Sequence, residues 1–139
     1  MKIGIFDSGL GGLVITKAII RKLPKYDFIY LGDTKRVPYG NRSQETIYEF
    51  TKQAVEYLFK QNCLLVILAC NSASAMALRR LQREFLPKKY PKRRILGVIV
   101  PTVEIASQGK RAKKIAVIAT AGTINSHIYR KELSKINKN

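Results

Sequence analysis

Cys70 closes a run of six apolar residues, Leu64-Leu65-Val66-Ile67-Leu68-Ala69, and is followed by Asn71-Ser72-Ala73-Ser74-Ala75. The apolar run reads as a buried strand and the small polar residues as a helix start, so the thiol sits at the junction. There it lies near the positive end of a helix dipole, which favours the thiolate and with it nucleophilic or basic behaviour. A small buried hydrophobe that happens to be cysteine fits the same stretch. Three more polar clusters follow apolar runs: Asp7-Ser8, Pro38-Tyr39-Gly40, and Thr120 with Thr123. The glycine-rich Asp7-Ser8-Gly9-Leu10-Gly11-Gly12 departs from the phosphate-binding fingerprints. A third fingerprint glycine would fall at Val14, and no Gly-Lys-Ser/Thr follows. A carboxylate beside backbone amides suits a ligand ammonium group or a proton to be moved.

The elements that must position these groups alternate along the chain. Strands are predicted over Lys2–Asp7, Asp27–Leu31, Leu64–Ala69, Ile95–Val100 (closed by Pro101) and Lys114–Ala119. Helical spacing covers Leu13 to Leu23, stopped by Pro24, and a long stretch capped by Ser43 and ending near Asn62. A further helix is predicted from Ser72 to Phe85, and Gly122-Thr123-Ile124-Asn125-Ser126 opens a last one. Strands rich in Val and Ile alternating with helices imply an α/β fold, a parallel sheet with helices on both faces. Ligands bind such sheets beyond the carboxyl ends of the strands, where the winding order reverses. All four polar clusters belong to that edge. Cys63 lies at the opposite end of its strand and reads as packing filler. His127, the only histidine, reads as a surface or helix-face residue.

Composition bounds the function. The chain has 139 residues, 46% of them hydrophobic, enough for one domain or one domain and part of another. No apolar stretch approaches a membrane span, and Asp7 comes too early for a secretory signal. Two cysteines make neither a disulfide framework nor a metal set. Seven strand steps would part them by roughly 23 Å, beyond disulfide reach, and a reducing cytoplasm is the expected setting. Lys and Arg number 26 against 9 Asp and Glu, a net charge of +17. Eight basic residues and one acid fall between Arg79 and Arg94, and Lys110, Arg111, Lys113 and Lys114 form a second cluster. Neither cluster interleaves aromatics as single-strand binders do, so both read as solvated basic faces that hold polyanions without specificity.

The runs Gly4-Ile5-Phe6-Asp7-Ser8-Gly9-Leu10-Gly11-Gly12, Gly32-Asp33-Thr34 with Val37-Pro38-Tyr39-Gly40, and Ala69-Cys70-Asn71-Ser72-Ala73 resemble glutamate racemases of the aspartate/glutamate racemase family. The resemblance continues through Gly97-Val98-Ile99-Val100-Pro101-Thr102 and Ala119-Thr120-Ala121-Gly122-Thr123 and spans essentially the whole chain. It implies a cofactor-independent isomerase that interconverts L- and D-glutamate for peptidoglycan, and so for cell-wall biogenesis and cell shape. On this sequence Cys70 would be one of two acid/base thiols and Asp7 its assisting carboxylate. Ser8, Pro38, Tyr39, Gly40, Asn71, Ser72, Thr120 and Thr123 would hold the substrate, with no metal. Ser72 stands where the family usually has Thr, which keeps the hydroxyl and loses a methyl.

The family's second thiol lies in a Cys-Thr-His run well downstream, beyond Asn139, and its members are roughly twice this long. The resemblance therefore implies a first lobe over 1–98 and the truncated beginning of a second over 99–139, inactive alone. Expected partners are glutamate itself, a second copy in a homodimer, and polyanions attracted by the net charge, with no membrane contact. Two other readings share these residues: a related racemase acting on aspartate, and a non-catalytic basic remnant that binds nucleic acid.

Overall fold

The structure, a computed structural model, describes residues 1–108 and 114–136. Lys110, Arg111 and Lys113 of the second basic cluster lie outside the described residues. Four strands, β1 (Lys2–Asp7), β2 (Asp27–Gly32), β3 (Cys63–Leu68) and β4 (Arg94–Gly97), form one sheet in the order β2-β1-β3-β4. All three pairings are parallel. Side chains alternate across β1 because the strand repeat is two residues. Ile3 and Ile5 pack with Ile15 and Ile19 of α1 (Gly12–Lys22) on one face. Phe6 packs on the other face with Val55, Leu58 and Phe59 of α2 (Gln44–Lys60). Gly4 shares that second face, and a Cβ there would come within 3.1 Å of Leu58. The glycine lets α2 lie directly on the central strand.

Ser43 caps α2 as the sequence implies, its hydroxyl accepting from Thr46 N at 3.2 Å. Ile47, Thr51, Ala54, Val55 and Leu58 then recur at helical spacing and are all buried. Each large side chain fully removed from water contributes about 1.5–3 kcal/mol. Cys63 is fully buried beneath Gly4, and burial pushes its thiol up. Among the described residues no helix is long and apolar enough to cross a membrane.

Several elements differ from the sequence expectation. The helix predicted over Ser72–Phe85 is a run of shorter pieces: α3 (Asn71–Met76), α4 (Leu78–Arg80), a π-helical turn (Leu81–Phe85) and α5 (Leu86–Lys89). β4 is shorter than the predicted Ile95–Val100, because Ile99 already belongs to α6 (Ile99–Ser107). Pro101 is the third residue of α6, where its missing N–H costs no helical hydrogen bond, so it does not close a strand. The strand predicted over Lys114–Ala119 does not form, and these residues pair with no other strand. Their continuous apolar run, Ile115-Ala116-Val117-Ile118-Ala119, finds no sheet edge here, and Ile118 is 99% exposed. The last helix is two, α7 (Ala121–Asn125) and α8 (Ile128–Ile136), and exposed His127 sits between them with a left-handed φ of 54°.

Polar contacts dock α8 onto α4. Arg79 Nη2 donates to Glu132 Oε1 at 2.9 Å, and Lys135 Nζ reaches both Glu132 oxygens at 2.9 and 3.0 Å. Burial pushes the Glu132 carboxyl up, but hydrogen bonds from Lys135 and Arg79 outweigh it and hold it below its ordinary value. A group depressed on folding stabilises the protein above its unfolded pKa, and that contribution is lost as pH falls through the folded value. Hydrogen exchange of the α8 amides, corrected for intrinsic rates, should stay constant above about pH 5 and accelerate below. In Glu132→Gln exchange should be faster at neutral pH by the equivalent of about 1–3 kcal/mol.

Candidate active site

The winding of the sheet reverses between β1 and β3: β2 is added on one side of β1 and β3 on the other. Helices leaving two such strands go to opposite faces, and a crevice opens beyond their carboxyl ends. Asp7 ends β1, and Cys70 follows β3 by two residues as the N-cap of α3. The Cys70 thiol donates to Ser8 Oγ at 3.3 Å, and its sulfur accepts from Ala73 N at 3.5 Å. Cys70 is 5% exposed. A thiol held between a hydroxyl and a helix amide can release and regain a proton without moving its heavy atom.

Asp7 is 6% exposed, and a buried carboxylate needs donors. Gly12 N donates to its Oδ2 at 2.9 Å, which anchors the start of α1. Tyr30 OH lies 3.4 Å from the same oxygen and donates to Gly9 O at 2.8 Å. Burial, then the Asp7 charge, push the Tyr30 hydroxyl up to about 12, so it stays a donor at neutral pH. Oδ1 has no hydrogen-bond partner among the described residues.

The loop after β2 supplies the next wall. Tyr39 is buried and donates its hydroxyl to Asp33 Oδ2 at 2.5 Å, while Arg36 Nε donates to the same oxygen at 2.6 Å. Burial and then the Asp33 hydrogen bond raise the Tyr39 hydroxyl far above its ordinary value. Its side chain is thus committed to the loop, which leaves backbone groups to face a ligand. Pro38 is exposed, and its carbonyl accepts from Arg42 Nε at 3.1 Å. Gly40 is pressed against the C-terminal segment: a Cβ there would sit 2.5 Å from Thr120 Cγ2, and Gly40 O accepts from Gly122 N at 3.2 Å.

Thr120 completes the rim. Its hydroxyl lies 3.2 Å from Ser72 Oγ, donates to Thr123 Oγ1 at 3.1 Å and caps α7 by accepting from Thr123 N at 3.4 Å. Asn71 is exposed, and its Oδ1 accepts from Tyr129 OH at 2.9 Å. The fold thus links Ser8 to Cys70, Ser72 to Thr120 and Thr123, and Gly40 to the start of α7. Cys63 lies at the far end of β3 and His127 lies beyond α7, so neither joins the rim.

No protein-family model matches the chain. The glutamate racemase of Aquifex aeolicus is 47% identical over 135 residues, covering 97% of this chain and 51% of that protein. The solved glutamate racemase from Aquifex pyrophilus superposes with a TM-score of 0.88 at 44% identity, covering 97% of this chain and 51% of that one. The chain is a homologue of the glutamate racemases. It spans about half the length of the curated relatives it matches. Its fold is that of the racemase structures, parallel strands with helices on both faces. The glutamate racemase of Francisella tularensis, solved in complex with D-glutamate, superposes with a TM-score of 0.85 at 38% identity over 99% of this chain and 49% of that one.

Three residues of this racemase-like rim escape the sequence reading. Tyr30 follows from strand register alone, since β2 sets it beside Ile5 of β1, two residues before Asp7. Asp33 lies within a motif shared with glutamate racemases, but its pairing with Tyr39 and Arg36 needs the loop's conformation. Tyr129 carries no sequence signal.

The close approach of α1 to Asp7 is testable at two adjacent glycines. A Cβ on Gly12 would lie 2.7 Å from Asp7 Cβ and 3.0 Å from Ala69 Cβ, whereas one on Gly11 would come no nearer than 4.0 Å to Asp7 Oδ2. Gly12→Ala should lower the stability read from the urea midpoint by about 1–3 kcal/mol. Gly11→Ala should change it by no more than about 0.5 kcal/mol.

Proposed function

We propose that these residues form one half of a two-base racemase site for glutamate, with Cys70 as the base for one enantiomer. The contact between Cys70 and Ser8 at the β1/β3 switch point carries the reading. Its support is the homology with glutamate racemases and the Francisella protein's complex with D-glutamate.

In this mechanism the Cys70 thiolate takes the α-proton from one face of the bound amino acid. The electron pair of the broken C–H bond stays on the α-carbon and its carboxylate. Backbone amides and the Ser72, Thr120 and Thr123 hydroxyls stabilise that charge where water is excluded. A second thiol then returns its own proton to the opposite face, which inverts the centre. Asp7, through Oδ1, holds the substrate ammonium or assists the thiol. The rim holds one thiol, so the second belongs to the other half of a whole racemase. Residues 1–98 would be the first lobe and 99–139 the start of a second, since the sheet ends at Gly97. In the cell the whole protein would supply D-glutamate for peptidoglycan from the cytoplasm, as a soluble enzyme and a homodimer.

The 139-residue chain should show no interconversion of D- and L-glutamate by circular dichroism, and turnover above background overturns the two-thiol reading. In heavy water it should exchange the α-proton of one enantiomer slowly, and Cys70→Ser should abolish that exchange. Glutamate, and aspartate more weakly, should shift the amide resonances of Ser8, Asn71, Ser72 and Thr123. If neither amino acid shifts them, the substrate assignment fails. If aspartate binds more tightly, the site is an aspartate site.

A further inference from the structure

Asp7 and Ser8, the groups set beside the Cys70 thiol, lead into a loop that buries little of its own. Leu10 is 65% exposed, and Gly9 and Gly11 carry no side chain. What holds this loop must come from a neighbouring element. Residues alternate across a strand, so Ile3, Ile5 and Asp7 of β1 share the α1 face, and Phe28 and Tyr30 of β2 share it with them. The register sets Tyr30 beside Ile5, one side-chain repeat before Asp7. We propose that Tyr30 is a positioning residue: its hydroxyl holds the Gly9 carbonyl and the Asp7 carboxylate, and so fixes Ser8 and Asp7 against the Cys70 thiol.

One hydroxyl serves two groups. Tyr30 OH donates to Gly9 O at 2.8 Å and lies 3.4 Å from Asp7 Oδ2, a three-centre arrangement with its shorter leg on the loop. Gly9 directly follows Ser8, whose Oγ accepts from the Cys70 thiol at 3.3 Å. Holding the Gly9 carbonyl therefore holds the residue that meets the thiol. On the longer leg, Tyr30 OH and Gly12 N converge on Oδ2 and leave Oδ1 without a partner among the described residues. Two donors on one oxygen fix the rotation of the carboxylate. Gly32 completes the cradle. A Cβ there would lie 2.6 Å from Gly9 O and 3.2 Å from Tyr30 Cε1, so the bare Gly32 lets carbonyl and ring meet.

Packing does not account for the hydroxyl. The ring lies in an apolar cluster with Ile3, Ile5, Ile15 and Ile19, where a phenylalanine would serve, as Phe28 does two residues earlier. Removing an O–H from water costs free energy unless a partner takes its proton. Among the described residues those partners are the loop and Asp7. The proton stays on the oxygen at neutral pH, since burial first and then the Asp7 charge push the hydroxyl up to about 12. Tyr30's part in proton transfer rests on the racemase reading of Cys70, whereas its effect on the thiol follows from the contacts alone.

Tyr30→Phe in the full chain separates the hydroxyl from the ring. Iodoacetamide at fixed pH should alkylate Cys70 at least about threefold faster than in the parent, because a loosened Ser8 frees the thiol from its acceptor and opens it to the reagent. Peptide mapping distinguishes Cys70 from the fully buried Cys63. Ile19→Val shortens a side chain of the same cluster and keeps the hydroxyl, so it should change that rate less than about twofold. Gly32→Ala, which drives a Cβ into Gly9 O, should reproduce the faster alkylation with Tyr30 intact. In heavy water, Tyr30→Phe should slow α-proton exchange of the reactive glutamate enantiomer at least about tenfold, with glutamate affinity within about threefold of the parent. Displaced Asp7 and Ser8 misalign the transfer but leave the charges that bind glutamate in place. A role in stability alone would move the Tyr30→Phe and Ile19→Val rates together, and that result would overturn the assignment. Parent-like alkylation or exchange in Tyr30→Phe, or parent-like alkylation in Gly32→Ala, would overturn it as well. Equal losses of affinity and rate would make Tyr30 a binding residue and also overturn it. If the parent exchanges neither enantiomer, the racemase reading fails, and the alkylation rates decide whether Tyr30 positions the partners of the thiol.

Discussion

The parallel pairing of β1 with β3 at the centre of the sheet is the constraint on which the site depends. Because the winding reverses between these strands, the chain leaving β1 and the chain leaving β3 diverge to opposite faces. Backbone hydrogen bonds extend beyond the regular pairing on both sides of β1. Ala69 N donates to Phe6 O at 2.8 Å, and Asp33 N donates to Asp7 O at 3.0 Å. The end of β1 is therefore clamped between the chain that leads to Cys70 and the loop that leads to Tyr39. Ser8 meets Cys70 because backbone geometry leaves the two chain ends side by side. A shift of one residue in either register would carry them apart and turn Phe6 out of the core.

Charge is distributed in keeping with that geometry. The rim holds two carboxylates, Asp7 and Asp33, and a set of neutral donors. Arg36, the cation bonded there, is bound to Asp33. Tyr30 and Tyr39 both have raised hydroxyl pKa values and serve as uncharged donors, so each carboxylate is stabilised by hydrogen bonds. The surplus that gives the chain its charge of +17 lies elsewhere, with much of it on the α4 to β4 stretch. A zwitterionic ligand at the rim would meet local dipoles and one free carboxylate oxygen, while the cations of α4 line a separate cleft against α8. The two regions differ in charge although α3 and α4 run from one to the other.

Much of this was legible in the chain itself. The first three strands, α1 and α2 follow from apolar periodicity, Ser43 and Pro24, because local pattern and tertiary burial agree there. The position of Cys70 at a strand–helix junction was equally readable, and the structure adds that its sulfur is itself the cap. The misreadings share a cause. Lys114–Ala119 has strand composition, but a strand exists only against a partner, and composition does not name one. Pro101 reads as a stop unless the helix start is known to lie two residues before it. The division of the Ser72–Phe85 helix depends on packing of α3 to α5, and the break of the last helix at His127, exposed as read, depends on a left-handed residue. Tyr30 and Tyr129 reach the rim through contacts between segments far apart in sequence, and Asp33 through the conformation of its own loop, neither of which single-chain patterns encode.

The halves of the rim rest on unequal foundations. Asp7, Ser8 and Cys70 stand on central strands whose neighbours include Ile5, Phe6, Val66 and Leu68, all fully buried. Thr120 and Thr123 stand on a stretch in which, among the described residues from 99 onward, Ile99 and Val103 are the buried large apolar side chains. Beyond those two side chains, much of its attachment to the rest is polar: Gly122 to Gly40, Ser72 to Thr120, Tyr129 to Asn71 and Arg79 to Glu132. A hydrogen bond contributes about 1 kcal/mol net, because water replaces it when it breaks, whereas separating a packed apolar surface carries its full transfer cost. The α6–α8 segment can therefore part from the sheet at lower free energy than the sheet can open. The thiol stands on the part of the fold that opens last, and the hydroxyl wall beside it on the part that opens first.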